Sequence, residues 1–167
     1  LSPLQSGQND RFKRGNITHK LLQLLPDLTS EKRQSAAEKY VSQPAHALSK
    51  DVQQGIVNEV MAILTHPNFA PIFGAGSIAE APITGLIHGN GLISGQIDRL
   101  LVTKDEILII DYQSNRPPPQ DVKNVPLIYK NQMQAYADVI REIYPNRAIK
   151  CALIWTDGCR LMEIPVR

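Results

Sequence analysis

Asp98 and Asp111 lie in two apolar runs joined by the short polar segment Thr103-Lys104-Asp105-Glu106. Alternating strands around such a segment read as a β-hairpin. With the loop centred on Lys104-Asp105, Val102 faces Ile107, and counting back sets Asp98 directly opposite Asp111. Opposed residues share a sheet face, with Cβ atoms roughly 4.5–5.5 Å apart. Gln113, two residues on, points the same way. Two carboxylates this close repel unless something positive separates them. A divalent cation held by hard oxygen ligands is one solution. The other is a pair of solvated aspartates, each bridged to an arginine, with Arg99 and Arg116 at hand. The run Ile107-Leu108-Ile109-Ile110 reads as buried on both faces, and a carboxylate at the end of such a strand is costly unless paired or metal-bound.

The elements that must position this hairpin follow from patterning. Residues 1–14 are polar and rich in breakers, as in a linker or arm. Helical stripes cover residues 15–25, stopped by Pro26; residues 29–43, opened by Thr29-Ser30-Glu31; and a third helix from near Ser49 through Leu64. His19 in the first helix reads, on spacing alone, as filling the edge of a core. His46 and His66 flank prolines and read as loop residues. A short element with Phe69, Ile72 and Phe73 precedes the Gly74-Ala75-Gly76 turn, where the chain switches to sheet. Residues 77–87 alternate loosely around Pro82, as in an edge or bulged strand, and carry Glu80, by itself a solvent-facing glutamate. His88-Gly89-Asn90-Gly91 turns the chain into the Asp98 strand. After Pro117-Pro118-Pro119 comes a helix over residues 126–143, with Ile128, Met133, Tyr136, Ala137, Val139, Ile140 and Ile143 facing inward and Gln132 one turn from Tyr136. Residues 149–156 and 160–166 form a last hairpin about Asp157-Gly158. The order predicts an α/β protein with a mixed central sheet.

Composition adds bounds. The 167 residues suffice for a domain with a real core; apolar content is 43%, charged content 20% and net charge +2. This mild basicity permits nucleic acid binding without requiring it. Cys151 and Cys159 are too few for a Cys₄ zinc or iron–sulfur site; of the two states open to them, a hairpin disulfide and a pair of reduced thiols, the second is the expectation, as in an intracellular, cytoplasmic protein. No apolar run approaches the roughly 20 residues of a spanning helix, and no signal peptide is visible. The first residue is Leu1 rather than Met, as in a piece of a longer protein.

The stretches Gly95-Gln96-Ile97-Asp98-Arg99-Leu100 and Ile109-Ile110-Asp111-Tyr112-Gln113-Ser114-Asn115-Arg116 resemble the nuclease core of the PD-(D/E)XK superfamily in its RecB-like branch. More closely, residues 14–165 are similar to the C-terminal nuclease domains of AddA-type bacterial helicase–nucleases, those of alphaproteobacteria in particular. The resemblance implies the PD-(D/E)XK α/β core with an N-terminal helical segment, spanning residues 15–167. It implies a DNA exonuclease that resects ends in double-strand break repair, fed by an attached helicase and working with an AddB-type partner subunit.

Carried over position by position, it makes His19 the active-site histidine of the first helix, Glu80 the upstream glutamate, and Asp98 and Asp111 the metal-binding aspartates. It adds His19 and the Tyr112 carbonyl as further ligands to Mg²⁺ or Mn²⁺, and Asn115 and Arg116 as phosphate contacts. Gln132 and Tyr136 match a Q-x-x-x-Y motif on the helix beside the site, which the resemblance adds to the DNA-binding residues. One position departs. The family pattern D-Y-K-T-N-R reads here Asp111-Tyr112-Gln113-Ser114-Asn115-Arg116. Gln113 can hydrogen-bond a water but carries no charge and exchanges no proton, a loss on the order of 10²–10⁴ in rate. A weakened or inactive module that binds DNA or its partner is therefore the alternative expectation, with Lys123 and Lys130 as candidate replacements.

Overall fold

The computed structural model describes residues 3–89 and 91–167, and side chains from residue 7 onward. It divides into two compact units, Leu1–Phe73 and Gly74–Arg167. The first is helical: α1 (Pro3–Leu24), α2 (Ser30–Val41) and α3 (Lys50–Thr65), with short 3₁₀ turns at Leu25–Asp27, Pro44–His46 and Pro67–Phe73. The second holds strands β1 (Ser77–Ile87), β2 (Gly91–Val102), β3 (Glu106–Gln113), β4 (Ala148–Trp155) and β5 (Arg160–Ile164), a 3₁₀ turn at Val122–Asn124, and helix α4 (Leu127–Ile143).

The first helix departs from expectation. Rather than starting at Gly15, α1 takes in residues 3–14, expected as an arm; residues 1 and 2 of that arm lie outside the described residues. Pro3 stands at the first helical position, where its missing N–H costs nothing, and the Gln, Arg and Lys residues that follow propagate a helix well enough to carry Gly7 and Gly15. Ile17, Leu21, Leu22 and Leu25 are buried with Ala37, Val41, Ile56, Val57, Val60 and Ile63. At α3 the Ser49 hydroxyl accepts a hydrogen bond from the Val52 amide, an N-cap. Arg14 pairs with Glu59 at 3.0 Å and lies over Gly55, where a Cβ would stand 3.1 Å from Nη2. His46 and His66 are less free than a loop reading implies: the His46 ring lies 4.7 Å from that of Tyr40, and His66 stacks on Phe69 at 4.1 Å.

The five strands form one sheet in sequential order β1-β2-β3-β4-β5. Only β3 and β4 are parallel, with α4 in the crossover between them, so the sheet is mixed as expected. Pro82 is tolerated because β1 is an edge strand. The β2·β3 register pairs Val102 with Ile107 and runs to Arg99 opposite Ile110, as the hairpin loop predicts. The core lies between one sheet face and α4, with Ile97, Leu100, Ile107, Ile109, Leu153 and Trp155 meeting Met133, Tyr136, Ala137, Val139 and Ile140. Ile128 and Ile143, expected inside, are 72% and 54% exposed, because they sit at the two ends of α4. Cys151 and Cys159 are free thiols. Among the described residues no helix is long and apolar enough to cross a membrane.

Candidate active site

The sheet is least regular around Glu80 and Asp98. In β1·β2 the pairing runs from Ser77 opposite Leu101 to Ala79 opposite Arg99 and resumes at Ala81 opposite Ile97. The omitted pair is Glu80 and Asp98. Glu80 has φ +50°, the left-handed region that a β-strand residue without glycine's freedom rarely enters. Alternation slips by one residue at this point in both strands. Ala81 and Ile83, with Ile93 and Ile97, pack toward α4 on odd numbers, whereas Leu100 and Val102 pack there on even ones. Because both strands slip together, the register is the same on either side.

On the other flank, the β2·β3 ladder ends at Arg99 opposite Ile110, one pair short of Asp98 and Asp111. A side chain takes over from the backbone there: Asp98 Oδ2 accepts the Tyr112 amide N–H at 2.8 Å. The Asp98 carboxylate is thereby seated on the peptide that follows Asp111, which is itself only 7% exposed. Gln113 Nε2 donates to Asp111 Oδ2 at 2.8 Å, so Asp111 and Gln113 share a face as the period of two requires.

From α4, the Tyr136 hydroxyl donates to the Gln96 carbonyl at 3.2 Å and receives the Gln132 amide at 2.7 Å. Burial raises the Tyr136 pKa, with Asp111 and Asp98 adding to the rise and the Gln132 and Gln96 hydrogen bonds opposing it. The tyrosine therefore stays neutral beside two carboxylates. Gly95 makes the approach possible: a Cβ there would stand 2.9 Å from Tyr136 Cε1 and 3.2 Å from its hydroxyl. Sequence reasoning missed this glycine. The signal was a glycine inside a strand, which marks a close approach of another group, but its partner lies 41 residues away on α4. Tyr112 points to the opposite face and is buried. Burial raises its pKa well above the ordinary value, Arg99 opposes, and Asp98 and Glu80 raise it further. Both carboxylates thus act on one phenol. Arg99 is also buried, and its Nη1 donates to Ser77 Oγ at 3.3 Å.

The remaining expected residues are anchored by their own partners. Asn115 Oδ1 accepts from the Tyr129 hydroxyl at 3.1 Å, and Arg116 Nη1 pairs with Asp157 at 3.2 Å. Lys123 is exposed and 3.8 Å from Asp121. Lys130 lies on α4, two residues before Gln132 and hence on a different face of the helix from the Gln132–Tyr136 pair. His19 is half-buried on α1, in the helical unit, whereas Glu80, Asp98, Asp111, Tyr112, Gln113, Asn115, Arg116, Gln132 and Tyr136 all belong to the sheet unit. Among the described residues no three His, Cys, Asp or Glu side chains gather as a metal set. The donors fit a divalent ion in kind rather than in number. Asp98, Asp111 and a main-chain carbonyl are hard oxygens, and Mg²⁺ commonly takes one or two carboxylates and keeps several waters.

The model of the PD-(D/E)XK nuclease superfamily matches residues 2–159. The chain belongs to that superfamily, whose members are nuclease-type phosphodiester hydrolases that generally use divalent ions such as Mg²⁺. The mixed five-stranded sheet and the helices agree with its α/β fold. No curated protein matches the chain. Among solved structures, the crystal structure of SSO0001 is similar at 17% identity and a TM-score of 0.39, covering 90% of this chain. The chain spans 66% of that protein's length.

Proposed function

We propose that this chain is the metal-dependent DNA exonuclease domain of an AddA-type helicase–nuclease, acting at DNA ends in double-strand break repair and recombination in the cytoplasm. An attached helicase would deliver the strand, and an AddB-type subunit would be its partner. The observation that carries the reading is the seating of the Asp98 carboxylate on the Tyr112 amide, directly beside buried Asp111. Asp98 and Asp111 would hold Mg²⁺ or Mn²⁺, with the Tyr112 carbonyl and His19 as further donors and Glu80 as the third acid. The ion, when bound, polarises the scissile phosphate and lowers the pKa of a bound water. Gln113 orients that water through its amide; Asn115 and Arg116 meet phosphates; Gln132 and Tyr136 brace the strand that carries Asp98.

One observation favours a second reading, a weakened module that binds DNA or its partner. One N–H of the Gln113 amide donates to Asp111 at 2.8 Å, and the side chain brings no positive charge to the phosphate. Degradation of single-stranded and linear duplex DNA in Mg²⁺ or Mn²⁺ separates the two. The nuclease reading expects cleavage that Asp111→Ala abolishes and Gln113→Lys accelerates by about 10² or more. If the unaltered protein and Asp111→Ala are equally inert while Gln113→Lys cuts, the second reading holds.

A further inference from the structure

The helical unit carries a groove that the candidate active site does not use. It lies between α1, α2 and the Pro44–His46 turn, encloses about 520 Å³, and is lined by Phe12, Lys13, Asn16, Lys20, Tyr40 and His46, with Asn9, Ile17 and Ala45 completing the wall. The α1 residues fall at 9, 12, 13, 16, 17 and 20, one face of a helix by spacing. This stripe exists because α1 begins at Pro3; with a first helix starting at Gly15, Asn9, Phe12 and Lys13 would be in an arm.

Three features of the wall bear on an occupant. Phe12 is 70% exposed, an aromatic ring kept in solvent on a helix that buries Ile17, Leu21 and Leu22. Across from α1, the Tyr40 and His46 rings form a tilted pair at 4.7 Å. The wall holds two lysines and two asparagines and no carboxylate. Aromatic faces beside a positively charged track are what a single nucleic acid strand requires, because bases stack and phosphates pair with ammonium groups whatever the sequence. An acidic peptide would use the lysines and leave Phe12 idle.

We propose that this groove binds single-stranded DNA, with Lys13 and Lys20 on the phosphates and Phe12 stacked on a base. None of its lining residues is a candidate active-site residue, and it holds the strand without cutting it. The proposal rests on the reading of the chain as a DNA nuclease, but binding is measured without metal and cleavage only with it, so the two fail separately.

The test is fluorescence anisotropy of a labelled oligo(dT) with the whole chain in EDTA over a salt series. Lys13→Ala with Lys20→Ala should weaken binding at least tenfold and flatten the salt slope by about 1.4, two phosphates at roughly 0.7 each. Phe12→Ala should weaken it on the order of tenfold while leaving the salt slope unchanged. Lys32→Ala with Lys50→Ala removes the same charge outside the groove and should cost less than threefold. Equal losses from the two lysine pairs would overturn the proposal, since general charge would then explain the binding. So would unchanged affinity in Phe12→Ala together with efficient competition by polyglutamate, which would assign the groove to an acidic segment. Cleavage in Mg²⁺ with wild-type affinity in the groove variants refutes the groove and spares the nuclease reading. Groove-dependent binding without cleavage by any variant does the reverse.

Discussion

Asp111 stands between two ladders of opposite character. On one side, β3 pairs with β4 without a gap from Glu106 opposite Ala148 to Gln113 opposite Trp155, and the Thr156 amide adds a bond to the Gln113 carbonyl. On the other, β3 and β2 part after Ile110, and β2 and β1 skip Glu80 and Asp98. The braced side fixes where Asp111 and Gln113 are. The open side releases two more carboxylates from strand pairing and lets one of them bond a backbone amide. A continuous ladder would have used the Tyr112 N–H for pairing and left the Asp98 side chain without that anchor. Irregularity confined to one flank is what a site on a rigid sheet requires, because strain at functional positions persists only where its surroundings are over-determined.

Several changes would break or sharpen this contrast. Asp98→Ala acts on the open side twice, removing a proposed ligand and stripping the Tyr112 amide of its acceptor. DNA cleavage should fall on the order of 10³-fold, and denaturant melts should show a loss of about 1–3 kcal/mol from the unpaired amide. A variant of wild-type stability would mean that the seat on Tyr112 is unimportant.

Gly95→Ala tests whether α4 must approach β2. The methyl group meets Tyr136, so overpacking should cost about 1–3 kcal/mol, with the midpoint of urea unfolding as the readout. Tyr136→Phe in the same background should not restore the loss, since the ring edge clashes as well as the hydroxyl.

Glu80→Gly should do the opposite of most substitutions at a site. Left-handed backbone costs a non-glycine residue roughly 1–2 kcal/mol, so the variant should melt a few degrees higher while cutting DNA less well. Lower stability with unchanged cleavage would remove Glu80 from the site.

The smallest effect concerns the braced side. Burial raises the Cys151 thiol from 9.0 to about 12, Arg141 opposing and Asp138 adding. A raised folded pKa means the fold holds the proton more tightly than the unfolded chain does. That contribution is fully present below about pH 9 and fades as pH rises through 12. Tyr112 and Tyr136 are shifted the same way. Thermal melts should therefore decline above pH 9, and Cys151→Ala should flatten part of the decline.

Much of this is legible in the sequence. Loop symmetry about Lys104-Asp105 set the β2·β3 register, because a hairpin with a short loop has few alternatives. The period of two then put Gln113 on the Asp111 face, and helical spacing placed Gln132 against Tyr136. Other features were not legible. Local propensity under-rated α1 from Pro3 onward, since breakers such as Gly7 and Gly15 weigh on a sequence window whether or not the helix is packed elsewhere along its length. Ile128 and Ile143 fit an apolar stripe, but a stripe says nothing about where the sheet beneath it ends.

By itself, the order of the residues determined that Asp98 could come opposite Asp111 and that Gln113 shares the Asp111 face, because strand alternation and hairpin pairing are local rules. Tertiary structure alone decided that the β1·β2 and β2·β3 ladders both give way at Asp98, that Asp98 is anchored by the Tyr112 amide, and that Gly95 admits Tyr136. Those depend on groups up to 41 residues apart in the chain, whose competition for one amide or one volume appears only when the sheet and α4 are packed together.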